Sequence, residues 1–238
     1  MRMHQRRDTG TVMDPGVRTV ALIPAYQEGP RVGAVVTAAR RHLPVVVVDD
    51  GSTDDTRAAA AAAGAEVLRQ EPNAGKGAAL RAGFGHALQA GFDAVVTLDA
   101  DGQHDPDEIP RFLEAFATRR PELIIGERDP REMPAVRHVA NVLGGTALAL
   151  ALGRRVPDNQ SGYRLIGRTL MRAMLDSEER GFEFEVEMIA RCVALGLPME
   201  SVRIRTIYAG EPSHIQPWRH FTQFLRVTRK ARRIARGD

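Results

Sequence analysis

Two short apolar runs end abruptly in aspartates: residues 45–48, all valine, run into Asp49 and Asp50, and residues 94–98 run into Asp99. Four or five apolar residues without polar alternation suit a strand buried on both faces, and such strands belong to parallel sheets covered by helices on each side. Residues 19–23, closed by Pro24, form a third run of this kind. Between the runs, residues 29–42 carry Val32, Val35 and Val36 at helical spacing, and residues 54–63 are rich in helix-forming alanine. The order continues with a strand at 66–68, a helix at 78–90, the strand at 94–98, a helix at 107–116 and a strand at 123–125 that ends in Gly126, Glu127 and Arg128. Beyond it the pattern predicts an apolar helix over 135–152, a polar turn over 158–164 and a helix over 183–194. The alternation Val, Arg, Ile, Arg, Thr, Ile over 202–207 predicts a half-exposed strand. The predicted fold class is α/β, an open, twisted, mostly parallel sheet with helices on both faces.

The size of the chain fits one such domain. Of its 238 residues 43% are hydrophobic, enough for a single sizeable core. Residues 1–16 mix charge with Gly and Pro and read as a flexible tail, residues 17–217 as the domain, and residues 218–238 as a basic amphipathic helix. A lone cysteine, Cys192, excludes a disulfide within the chain and fits a reducing cytoplasm. The longest apolar stretch, 139–152, falls short of the roughly 20 residues that span a bilayer. The expected place is the cytoplasm or the inner face of the plasma membrane. A net charge of +3 argues for nucleic-acid binding only if the basic residues cluster, and they cluster only in the C-terminal segment, without a strip of stacking aromatics. No nucleic-acid partner is expected, and the sequence sets no oligomeric state.

The chemistry concentrates where strands end. Asp49, Asp50, Gly51 and Ser52 lie at a carboxyl edge, where ligands bind in open α/β sheets and where a carboxylate can accept from a ribose hydroxyl or a base N–H. Helix capping by Ser52, Thr53 or Asp54 is the alternative. At the next edge, Asp99, Asp101 and Gln103 offer hard oxygen ligands at alternate positions, suited to Mg²⁺ or Mn²⁺ with diphosphate oxygens completing the shell. A plain acidic turn is the alternative here. Asn73, Gly75, Lys76 and Gly77 precede a helix and resemble a phosphate loop, but Gln70 and Gly77 break the Walker pattern and Leu80 breaks the dinucleotide one. Lys76 reaches a nucleotide or caps a turn. Arg128 can neutralise a diphosphate, or pair with Glu127 or Asp129.

Taken in order, Ile23-Pro24-Ala25-Tyr26-Gln27-Glu28, Asp49-Asp50-Gly51-Ser52-Thr53-Asp54, Asn73-x-Gly75-Lys76-Gly77 and Asp99-Ala100-Asp101-Gly102-Gln103-His104 resemble the family 2 glycosyltransferases, particularly the dolichyl- or polyprenyl-phosphate mannose and glucose synthase branch. The resemblance implies the GT-A fold and a nucleotide-diphosphate sugar as donor. It implies that Pro24, Ala25, Tyr26, Glu28, Val48, Asp50, Lys76, Ala100 and Arg205 line the donor site, with His214 in a segment that closes over it. Asp99, Asp101 and Gln103 would hold Mg²⁺ or Mn²⁺ with the diphosphate, and Arg128 the phosphates. Asp158 followed by Ser161, Gly162, Tyr163 and Arg164 is similar to the family's acceptor-side segment. Gln27 replaces the usual Asn, and Glu127 stands where Ser often precedes the arginine.

Transfer to a hydroxyl needs a general base, for which Asp158, Glu183 and Glu185 are the candidates; transfer to a phosphate needs none. The expectation is inverting transfer of a hexose to a polyprenyl phosphate, with catalytic roles for Asp101, Arg128 and Asp158. The C-terminal segment, six arginines and one lysine without an acidic residue over 219–236, fits an anionic membrane surface or a solvated end helix. A soluble hydroxyl acceptor is the alternative. A nucleotidyltransferase would show a glycine-rich basic loop where Pro24 to Glu28 stand, and a noncatalytic sugar-nucleotide module would lose the metal set.

Overall fold

The computed structural model describes residues 16–129, 145–154, 156, 158–205, 207 and 233–234. Its centre is a seven-stranded sheet in the order β3-β2-β1-β4-β6-β5-β7. The strands are β1 (Thr19–Ala25), β2 (Val45–Asp50), β3 (Glu66–Gln70), β4 (Ala94–Thr97), β5 (Leu123–Arg128), β6 (Arg164–Gly167) and β7 (Met199–Ile204). All pairings are parallel except those of β6, which runs antiparallel between β4 and β5. The helices include α1 (Gly29–Ala39), α2 (Thr56–Ala62), α3 (Lys76–Gln89), α4 (Ile109–Arg119), α5 (Arg168–Ala173) and α6 (Glu183–Ala194), and a 3-10 turn lies at Pro106–Glu108.

The apolar strands are buried on both faces, as their unbroken pattern requires. Along β1, Val20 and Leu22 pack into one layer with Phe84 of α3 and residues of α5 and α6, while Ala21 and Ile23 point the other way toward Val32, Val35 and Val36 of α1 and Phe112 of α4. Each such buried aliphatic side chain contributes about 1.5–3 kcal/mol. These two layers hold β1, β2 and β4 in register, with Ala25 opposite Asp49 and Leu22 opposite both Val46 and Thr97. Three strands therefore deliver their carboxyl ends to one edge.

Two expectations need correction. The predicted polar turn at 158–164 leads directly into β6, a strand the sequence pattern does not reveal, and α5 follows it. The last strand is Met199–Ile204 instead of 202–207, because Pro198 offers its carbonyl to Glu122 and Leu123 and so starts the ladder with β5 three residues earlier. Residues 145–152 are helical, whereas 135–144 and most of 218–238 lie outside the described residues. Among the described residues no helix is long and apolar enough to cross a membrane.

Candidate active site

The edge is built by tying loops to one another. Gln27, in the left-handed region at φ 57°, donates its N–H to Ser52 Oγ at 3.0 Å. The next two amides follow: Glu28 N donates to Thr56 Oγ1 at 2.7 Å and Gly29 N to Asp54 Oδ2 at 3.0 Å. Ser52, for which helix capping was the alternative, thus fastens the β1–α1 loop, leaving Tyr26 49% exposed over the edge. Asp49 turns away to Arg69 at 2.7 Å. Asp50 accepts Ala74 N at 2.9 Å and Gly75 N at 2.8 Å, so its two oxygens hold the loop that opens α3. Gly75 sits at φ 94°, and a Cβ there would lie 2.4 Å from the carbonyl oxygen of Arg180, so glycine alone fits. The loop is pinned from both sides, which fixes Lys76 at the first position of α3.

Lys76 Nζ lies 2.6 Å from Asp99 Oδ1 and 3.2 Å from Glu185 Oε1. Burial by itself would lower the lysine pKa, but Asp99 and Glu185 outweigh it and hold the ammonium above the usual lysine range. For Asp99 burial works upward, and the ammonium of Lys76 beside it outweighs that, so the carboxyl stays below its ordinary range. The charge of Arg128 is also felt there. His104 is buried and stacks on Tyr163 at 5.0 Å between ring centroids. Burial lowers its pKa, which matches a neutral ring whose Nδ1 accepts Asp99 N at 3.0 Å. Asp101 Oδ1 accepts Gln103 N at 2.9 Å.

Sequence reasoning and structure part company on the acceptor-side segment. Asp158 is buried and both its oxygens are engaged by Arg128, with Nη2 2.8 Å from Oδ1. Asp158 is therefore an anchor for Arg128 and is not free to act as a base. Arg128 thus pairs across 30 residues with Asp158. Tyr163 is fully buried and donates to the carbonyl of Asp105 at 3.1 Å. Arg164, 1% exposed, donates to the carbonyls of Ser161 at 2.8 Å, Glu185 at 2.6 Å and Asn159 at 3.1 Å. These two side chains shape the segment from within and cannot touch an acceptor. Ser161 is buried too, with no hydrogen-bond partner for Oγ among the described residues. Gly162, whose carbonyl accepts Thr97 Oγ1 at 2.7 Å, backs directly onto Lys76 and Glu185. Of the donor-side expectations, the Val48 side chain lies in the core and Arg205 donates to Glu108 Oε1 at 2.9 Å. His214 lies outside the described residues.

What remains is a cleft of about 410 Å³ lined by Pro24, Ala25, Tyr26, Glu28, Asp50, Asn73, Gly75, Lys76, Ala79, Asp99, Ala100 and Asp101. It offers the exposed aromatic ring of Tyr26 and, in Lys76, a lysine held between Asp99 and Glu185. Asp101 Oδ2 accepts no hydrogen bond among the described residues, and Asp99 and Asp101 face the same space. Among those residues no three His, Cys, Asp or Glu side chains form a metal cage. Two carboxylates fit an ion such as Mg²⁺, which keeps part of its shell for water and phosphate oxygens.

A mostly parallel sheet, with an antiparallel strand beside the acidic edge and a cleft of this make-up, defines the class of the GT-A nucleotide-sugar transferase fold. Glucosyl-3-phosphoglycerate synthase from Mycobacterium tuberculosis, solved in complex with uridine diphosphate, superposes with a TM-score of 0.72 over 91% of this chain and 80% of that one, at 21% identity. The same enzyme solved with Mn²⁺, uridine diphosphate and phosphoglyceric acid gives 0.69 over 92% and 77%, again at 21% identity. The profile of glycosyl transferase family 2 matches residues 20–175, and the chain belongs to that family. Among its relatives, the undecaprenyl-phosphate mannosyltransferase of Micrococcus luteus is 34% identical over 145 residues, 58% of this chain and 59% of that protein. The polyprenol monophosphomannose synthase of Mycolicibacterium smegmatis is 31% identical over 145 residues, 58% of this chain and 54% of that protein. The chain thus spans less than two thirds of the length of these relatives.

Proposed function

We propose that this protein transfers a hexose from a nucleotide-diphosphate sugar to a polyprenyl phosphate. The observation that carries the proposal is the cleft itself, where Tyr26, the loop held by Asp50, Lys76, Asp99 and Asp101 converge on one sheet edge. Tyr26 would stack on the nucleoside, and Asn73 and Gly75, which also line the cleft, would bring backbone close to the ribose. Asp99 and Asp101, with Gln103, would hold Mg²⁺ or Mn²⁺. When bound, the ion supplies positive charge where the leaving diphosphate gains negative charge. Lys76 adds to that charge from within the cleft, and Arg128, oriented by Asp158, adds to the field from the end of β5.

The acceptor assignment rests on the names of the two relatives and on the state of the candidate bases. Asp158 is committed to Arg128, Glu185 to Lys76, and Glu183 stands in the first turn of α6, where the helix dipole favours its charge. A phosphate nucleophile, already anionic, needs none of them. The donor half is tested by thermal unfolding of the full chain with uridine or guanosine diphosphate, in Mn²⁺ and in EDTA. One nucleotide should raise the melting temperature far more in Mn²⁺. Equal shifts in both conditions would remove the metal from the account.

A further inference from the structure

Lys76 stands beside Asp99, one of the two carboxylates proposed above to hold a divalent ion. Its Nζ is 2.6 Å from Asp99 Oδ1 and 3.2 Å from Glu185 Oε1, with Gly162 alongside. A Cβ on Gly162 would fall 2.9 Å from Nζ, 3.0 Å from Glu185 Oε1 and 3.1 Å from Asp99 Oδ2, so the ammonium and both carboxylates are packed against bare backbone. An ammonium and a metal ion seek the same carboxylate lone pairs and repel each other when both are near. A carboxylate that already carries a lysine is a weakened metal ligand. The second carboxylate, Glu185, gives Lys76 a partner to keep if Asp99 is released, and the cleft that Lys76 lines is the place a diphosphate would enter.

We infer that Lys76 is a resident counter-ion that competes with the divalent cation for Asp99, so that the metal binds well only together with a nucleoside diphosphate, whose phosphates draw Lys76 off the carboxylate. This rests on the proposed ion site at Asp99 and Asp101. Neither partner alone then completes the site. Without nucleotide the lysine satisfies Asp99; with nucleotide the phosphate oxygens satisfy the lysine and leave Asp99 to the ion.

The test is Mn²⁺ binding to the full chain, read from the electron paramagnetic resonance signal of free Mn²⁺, with and without uridine or guanosine diphosphate. The wild type should bind Mn²⁺ weakly alone and markedly better with one nucleotide. Lys76→Met should bind Mn²⁺ alone about tenfold or more tightly than the wild type, since a repelling charge at contact distance is gone. Lys76→Gln should move the same way and serves if the Met variant does not fold, as judged by circular dichroism. Lys76→Arg, which keeps the charge, should stay near the wild type. If the wild type binds Mn²⁺ with nucleotide but neither neutral variant binds Mn²⁺ alone more tightly, the competition is refuted while the ion site stands. If no protein binds Mn²⁺ under any condition, the ion site and the competition fall together.

Discussion

Replacing Asp50 with asparagine tests whether its carboxylate serves the fold or the ligand. Asp50 is 3% exposed, and each of its oxygens accepts one backbone N–H, from Ala74 at 2.9 Å and from Gly75 at 2.8 Å. An asparagine keeps the shape but has one acceptor oxygen, so its NH₂ must face an amide N–H that also donates. Hydrogen bonds to a charged acceptor contribute about 1.5–3 kcal/mol, and the change loses one and weakens the other, so the cost is about 2 kcal/mol. For a chain of this size that lowers the melting temperature by roughly 4–8 °C. It lowers a urea midpoint by about 1 M at an m-value of about 2 kcal/mol/M. Urea unfolding followed by circular dichroism measures it, with nucleotide binding measured on the same sample. Stability unchanged within about 0.5 kcal/mol, together with weakened nucleotide binding, would refute the reasoning, because the carboxylate would then be held for the ligand alone.

Asp101→Asn should leave stability within about 1 kcal/mol of the wild type, since the side chain lines an open cleft, yet abolish the Mn²⁺-dependent part of the nucleotide's thermal shift. A retained shift would exclude Asp101 as a ligand. Arg164→Met strips the donor from three carbonyls around a buried position and should cost about 3 kcal/mol or more; a melting temperature within about 3 °C of wild type would contradict this. The Cys192 thiol, whose pKa burial pushes up to about 12, should resist a disulfide reagent at pH 8 in the native protein and react fully in guanidinium; rapid native labelling would show the packing around α6 to be wrong.

The strands that carry the cleft were legible because their residues are apolar without interruption and stop at aspartate, a pattern set by burial on both faces. Even the cleft residues Tyr26 and Asp99 follow from where those runs stop. β6 was not legible: it is four residues long, begins with an arginine and follows a polar turn, and its burial depends on β4 and β5 lying on either side. Nothing local announces that Arg164 will spend its charge on carbonyls. The shift of β7 has the same origin, since its start is set by Pro198 meeting Glu122 across the sheet and not by its own alternation. The pairings of Arg128 with Asp158 and of Lys76 with Glu185 join residues 30 and 109 positions apart. Sequence names such residues as charged and suitably placed, but only the register of the sheet and the seat of α6 decide which charge meets which. Glu185 thereby separates from Glu183, although the two are indistinguishable as a helix-opening pair.

The proposed activity is sugar transfer to a polyprenyl phosphate at the cleft of Asp99 and Asp101. The most direct measurement incubates the full chain with a panel of nucleotide sugars, Mn²⁺ and undecaprenyl phosphate in anionic liposomes, then identifies the solvent-extracted lipid by mass spectrometry. The account predicts a hexosylated polyprenyl phosphate with at least one donor, absent with Asp101→Asn and absent in EDTA. Sugar transferred only to soluble hydroxyl acceptors, with no modified lipid from any donor, would contradict it.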